Sequence, residues 1–178
     1  MDYPVVLPIK PYLRKYLIYH YKKEPIKIGR DSFVGSYLMN LLQSKGDPAP
    51  DNWKVPSDKT LKFILGEWNF QRKGIYITSK NIAEFNNFVD GLFRMVVYES
   101  ILDQYNQHLV NGYVKRGLFS SELRRHLDKY KITEDDLPFD TIDKDFYRFR
   151  KDIENSGYDC PFRFRTLPAS LKKIKSGE

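Results

Sequence analysis

Three cations, Lys144, Arg148 and Lys151, follow one another at steps of four and three, with Tyr147 beside them. On an α-helix that spacing places all three on one face. Ammonium and guanidinium groups gathered in this way, next to a phenol that can stack or bond a phosphate, suit contact with the backbone and base edges of a polyanion. Arg124, Arg125, Arg163 and Arg165 flank them in sequence and would position the same partner through phosphate. The many Asp and Glu residues, in contrast, include no pair whose spacing demands a shared acid/base or metal site. His20, His108 and His126 show no HxxxH or HExxH spacing, and each reads as a surface or boundary residue rather than a ligand. Cys160 is the single cysteine, which leaves no intramolecular disulfide and no CxxC zinc ribbon. The chain therefore reads as non-enzymatic, with no cofactor and no metal.

The segment that must present Lys144, Arg148 and Lys151 is Thr133 to Glu154, TEDDLPFDTIDKDFYRFRKDIE. Pro138 disfavours helix at Leu137, and Asp140 is placed to cap a helix beginning near Thr141. Ile142, Phe146, Phe149 and Ile153 form its apolar stripe, with the basic residues nearly opposite. Arg148 has Asp152 at i+4 and Arg150 has Glu154 at i+4, so a solvated helix laced with ion pairs fits the same residues.

Composition narrows the partners. The chain has 178 residues, 15% of them aromatic and 30% charged, with a formal net charge of +7. That length supports a real core, and the charge favours an acidic partner, whether nucleic acid, an anionic membrane or an acidic protein. The N-terminus lacks the basic and apolar regions of a secretory signal, and no segment approaches the ~20 apolar residues of a membrane span. A soluble, cytoplasmic protein without membrane association is expected.

The remaining elements follow from periodicity and punctuation. Val5 to Ile9, bracketed by Pro4, Pro8 and Pro11, predicts a short extended segment, and Pro11 can open a helix with Leu13, Tyr16 and Leu17 inward. Lys10, Arg14, Lys15, Lys22 and Lys23 among these tyrosines could serve single-strand stacking, while tyrosines at helical spacing also simply pack. Asp31 or Ser32 can cap a second helix whose stripe is Phe33, Tyr37, Leu38, Leu41 and Leu42. Lys45 to Asp58 is a loop rich in Pro and Asp. Thr60 to Leu65 predicts a strand and Ile75 to Thr78 its antiparallel partner, with GEWNFQRKG as the hairpin loop between them. That loop's Trp68, Phe70, Arg72 and Lys73 suit either nucleic-acid contact or lid-like packing over the core. Ser79 then caps a long helix to about Asn111, whose apolar face shifts between Val96 and Ile101, so that it either breaks near Ser100 or packs first on one half of the chain and then on the other. Ser120 or Ser121 starts a short helix with Leu123, Leu127 and Tyr130 inward, and Thr133 to Asp136 resembles a cap or a single turn.

Two short helices with basic exteriors thus follow one another, but the connection from Lys131 to Phe139 exceeds the three or four residues usual in a helix-turn-helix. Cys160, Phe162 and Phe164 alternate with Pro161, Arg163 and Arg165 and could form a strand or wing. The positive surplus lies in the flanks: residues 1–50 carry 8 basic and 4 acidic side chains, residues 51–108 carry 7 and 7, and residues 109–178 carry 15 and 12. An acidic stretch, Glu134 to Asp143, precedes the basic helix and would bias its orientation on a polyanion.

PYLRKYLIYHY, YLMNLL, FNNFVDGLF and KYKITEDDLPFDTIDKDFYRFRK together resemble uncharacterised proteins of phages and mobile elements of gut bacteria of the Bacteroidetes type, in which a similar KYxIxEDDLxFxT…YYRYRK ending is suggestive of DNA binding. The resemblance covers most of the chain and implies a bacterial or phage-infected cell as the setting. The expected fold is α+β, mainly α, with a small antiparallel β-ribbon and a C-terminal part that is helix-turn-helix-like or a helical bundle. Residues 1–108 would form the N-terminal part and residues 109–178 the basic C-terminal part. The expected function is non-enzymatic binding of double-stranded DNA, as a phage or mobile-element regulator or replication accessory. The alternative is an interaction or assembly protein, a phage structural or regulatory component with a protein partner or a second copy of itself.

Overall fold

The chain alternates short strands with helices before turning wholly helical, in a computed structural model that describes residues 1–29, 32–44, 59–111 and 117–156. The order is β1 (Asp2–Pro8), α1 (Pro11–Tyr21), β2 (Ile26–Ile28), α2 (Phe33–Leu41), β3 (Thr60–Gly66), α3 (Glu67–Lys73), α4 (Ser79–Val110), α5 (Leu118–Lys129) and α6 (Phe139–Ser156). The α+β, mainly α class holds. Two compact units divide it, residues 1–93 and 94–178. The expected loop at Lys45 to Asp58, the capping role of Asp31 and the wing around Cys160 lie outside the described residues.

In the first unit β3 is the central strand, in the order β1-β3-β2. Leu61, Phe63 and Leu65 alternate with Lys62 and Ile64, and all three are buried. Phe63 faces Val5 of antiparallel β1 on one side and Ile26 of parallel β2 on the other. Pro4 and Pro8 are tolerated because β1 is an edge strand with one row of backbone groups outside the ladder. This corrects the expected ribbon: Ile75 to Thr78 is not the partner of β3, and Tyr76 makes only an isolated bridge to Gln43. The period-two burial of Val5 and Leu7 supplies the stronger apolar edge.

The expected hairpin loop is instead helix α3. Glu67 stands in its first turn and Arg72 and Lys73 in its last, each sign matching the helix dipole. Phe70 turns inward and stacks on Tyr3 at 3.8 Å between ring centroids, whereas Trp68 is 54% exposed. Gly74 ends the helix at φ +74°, and a Cβ there would lie 2.3 Å from the Gln43 carbonyl oxygen.

Helix α1 buries Tyr12, Leu13, Tyr16 and Leu17, and the Tyr12 and Tyr16 rings pack at 5.6 and 5.4 Å from Phe93. Tyr12 and Tyr16 are thus packing groups, and Tyr12 also donates to Asp90 Oδ1 at 2.9 Å. Ser32 caps α2, its hydroxyl accepting the Gly35 N–H at 3.2 Å. Phe33, expected on the inner stripe, is 68% exposed, and Val34, Leu38, Met39, Leu41 and Leu42 do the burying.

Helix α4 is unbroken. Its cap is Thr78 rather than Ser79: the Thr78 hydroxyl accepts the Asn81 N–H at 3.2 Å and its carbonyl accepts the Ile82 N–H at 3.0 Å. Phe85, Val89, Phe93, Val97 and Ile101 are each fully buried at successive steps of four. At 3.6 residues per turn each step rotates the buried stripe by ~40°, so one continuous helix serves the first unit with Phe85 and Val89 and the second with Val97 and Ile101. In the second unit the Tyr98 ring packs against Phe146 at 5.2 Å, and Phe119 against Phe146 at 5.4 Å.

Candidate nucleic-acid interface

Helix α6 is launched by the nine residues that separate it from α5. Thr133 and Asp136 form a reciprocal cap: the Thr133 N–H and hydroxyl donate to Asp136 Oδ2 at 2.8 and 2.7 Å, and the Thr133 carbonyl accepts the Asp136 and Leu137 N–H groups. The single turn expected at Thr133 is present. The helix then starts earlier than expected, at Phe139, because Glu134 Oε2 accepts the Phe139 N–H at 2.7 Å and the Pro138 carbonyl accepts from Thr141. Asp140 therefore lies inside the first turn and is not the cap. Glu134 and Asp136, two acids of the stretch expected to orient a polyanion, are engaged in folding the helix start.

The helix is strongly two-sided. Ile142 and Phe146 are buried, Phe149 and Ile153 half-buried, and Lys144, Arg148 and Lys151 exposed. Tyr147 stands among the cations at 48% exposure, with Lys151 Nζ 4.9 Å and the Arg150 guanidinium 5.4 Å from its ring centre. Arg150 also lies 5.2 Å over the Phe119 ring, so it bridges the interior aromatic cluster and the outer phenol. Its place could have been read from its position next to the stripe residue Phe149.

At Arg148 the ion pairing differs from the i+4 pattern expected. Arg148 reaches back to Asp145 at 3.4 Å rather than forward to Asp152, and Asp145 is held more closely by Arg94 of α4, at 2.6 Å. The Arg148 side chain remains 75% exposed. A long, exposed contact of this kind contributes little and is readily exchanged for a phosphate.

On α5 the two arginines are tied. Arg125 pairs with Glu122 at 2.6 Å, and the Arg124 guanidinium lies 3.8 Å over the Phe139 ring at the start of α6. Both remain exposed, so each keeps donors for an oxyanion. Arg163 and Arg165 lie outside the described residues. The structure thus brings Lys144, Tyr147, Arg148 and Lys151 onto one face and sets Arg124 at the N-terminal end of the same helix.

On α5 His126 is buried, which corrects its expected place at the surface or boundary. Neither ring nitrogen has a hydrogen-bond partner among the described residues. Burial pushes its pKa below the ordinary histidine value, and Arg125 and Lys129 push the same way while Glu122 opposes them. Its place between the stripe residues Leu123 and Leu127 was the signal for burial.

Among the described residues no group of three or more His, Cys, Asp and Glu side chains is arranged to hold a metal ion, and no helix is long and apolar enough to cross a membrane. Comparison of the chain with protein-family models, with curated proteins and with solved structures gives no match.

Proposed function

We propose that the protein binds double-stranded DNA without catalysing a reaction on it, using the outer face of α6. The observation that carries this reading is the exposed set Lys144, Arg148 and Lys151 around half-exposed Tyr147, on a helix whose opposite face is anchored by Ile142 and Phe146. A helix so anchored offers cations without having to order itself first. Arg124 and Arg125 add phosphate contacts at the start of the helix. In the phage or mobile-element setting suggested by the resemblance, the role is that of a cytoplasmic regulator or replication accessory.

The test is binding of nuclease-treated protein to labelled double- and single-stranded DNA across a salt series. Duplex binding should weaken linearly in log K against log salt, by about 0.9 per phosphate neutralised. The variant Lys144→Ala/Arg148→Ala/Lys151→Ala should reduce that slope by about 0.9 for each phosphate that it leaves without its cation. Equal duplex binding by the variant and the parent would overturn the assignment to α6.

One observation favours a second reading, docking of a protein partner on the first unit. Phe33 is 68% exposed and packs on Phe88 at 5.2 Å, and Phe88 stacks on Tyr37 at 3.7 Å. Such an aromatic cluster at a surface suits an interface core. Phe33→Ser should then convert a stable oligomer to monomer in light scattering, with DNA affinity unchanged.

A further inference from the structure

A cavity of about 360 Å³ opens between α2 and α3 of the first unit. Ser36 and Asn40 line it from α2, and Trp68, Asn69, Arg72 and Lys73 line it from α3. Its size falls in the ~300–1,000 Å³ range of small-ligand pockets. Two of its lining side chains are cationic and none is acidic. The nearby carboxylate Glu67 turns to the terminal ammonium of Met1, at 3.2 Å, and is not part of the lining.

The chemistry of the wall is composite. Trp68 is 54% exposed, so part of its indole is open to a ligand. The Arg72 guanidinium sits 4.7 Å from that ring, so an aromatic surface and a cation are presented together, as a base and its phosphate require. Asn40, Asn69 and Ser36 carry both donors and acceptors, suited to a base edge or a sugar hydroxyl. A simple anion would use the cations and leave the indole idle, and a neutral aromatic would do the reverse.

We propose that this cavity is a nucleotide-binding site that takes one nucleoside phosphate unit, free or within a single strand, with the base against Trp68 and the phosphate at Arg72 and Lys73. Stacking on an indole is tolerant of base identity because every base has a π-face. The site goes beyond the duplex contact proposed for α6 and shares no residue with it.

The full chain carrying Trp53→Phe leaves Trp68 as the fluorescent reporter, since the chain has two tryptophans. It is titrated with 5′-AMP, adenosine, inorganic phosphate and an oligodeoxyadenylate. Saturable quenching by 5′-AMP, with adenosine and phosphate each at least about tenfold weaker, is the expected result. Arg72→Ala/Lys73→Ala should weaken 5′-AMP by about tenfold or more with an unchanged circular dichroism spectrum. Trp68→Phe should retain calorimetric binding and Trp68→Ala should lose it. Quenching by the oligonucleotide alone, abolished in the Arg72/Lys73 variant, supports the site and identifies a strand as the source of the nucleotide. No response to either nucleotide probe, phosphate as effective as 5′-AMP, or full binding by the Arg72/Lys73 variant overturns it. The α6 triple variant should bind 5′-AMP normally, so failure of the duplex reading and failure of this one are told apart.

Discussion

Arg14 in the first unit and the α6 cations in the second hold their charge in opposite ways. In the first, Arg14 is drawn inward: its Nε donates to the Thr60 carbonyl at 2.9 Å and its guanidinium pairs with Glu24, whose other oxygen accepts the Lys62 N–H at 3.0 Å. That arginine is a structural tie between α1 and the central strand. In the second unit Lys144, Arg148 and Lys151 are left outside on a helix held by its apolar side. The number of cations cannot separate the two cases; what separates them is whether a carboxylate and a backbone carbonyl are waiting where the stem of the side chain lies.

The contrast can be broken at several strengths. The largest effect belongs to the apolar core of the first unit: Phe85→Ala removes a fully buried ring packed edge-on to Phe63 and should cost about 3–5 kcal/mol in urea unfolding. Gly74→Ala comes next, because its backbone conformation is nearly glycine-only and the new methyl would meet the Gln43 carbonyl. A loss of about 1–3 kcal/mol is expected, read as a lowered denaturation midpoint. Arg14→Ala should cost about 1–2 kcal/mol, since it strands a partly buried carboxylate and a carbonyl together. Arg148→Ala, by the same assay, should stay within about 0.5 kcal/mol of the parent. Equal losses for the two arginines would erase the distinction between an internal tie and an external face.

The smallest effect depends on pH. Because folding lowers the His126 pKa, the unfolded chain binds a proton that the folded one resists. The contribution of this group to stability is therefore complete above the ordinary histidine pKa of about 6.5 and declines as pH falls below it, levelling off once the folded pKa is passed. His126→Leu should flatten that part of the stability-against-pH curve. An unchanged slope would show that the imidazole is solvated.

Sequence periodicity made the class of fold and every helix but the short α3 legible, since Leu13, Leu17, Phe85, Val89, Leu123 and Ile142 announce their faces through local spacing. It did not reveal strand pairing. Ile75 to Thr78 lies near β3 in the chain and is apolar, so proximity favoured it, while the actual partners are chosen by a face completed over long sequence separation. The expected cap of α6 failed for a related reason, whereas Ser32 at α2 held: Asp140 has the right residue type, but Glu134 reaches the helix start from five residues back. The basic face of α6 was legible because it depends on one helix alone. The tie of Arg94 to Asp145 was not, because it requires knowing that α4 and α6 are neighbours.

The edge position of β1 also orders events in time. Val5 finds its place only opposite Phe63, so on a growing chain the first strand has no partner until β3 has emerged, and its apolar side must wait without a sheet. The prolines at positions 4 and 8 deny such a waiting strand some of the backbone donors through which it could pair with another copy. The turn that launches α6 faces no comparable delay, because the reciprocal cap at Thr133 and Asp136 closes within a single turn of chain. The feature that makes β1 a weak sheet former is thus also what protects it during synthesis.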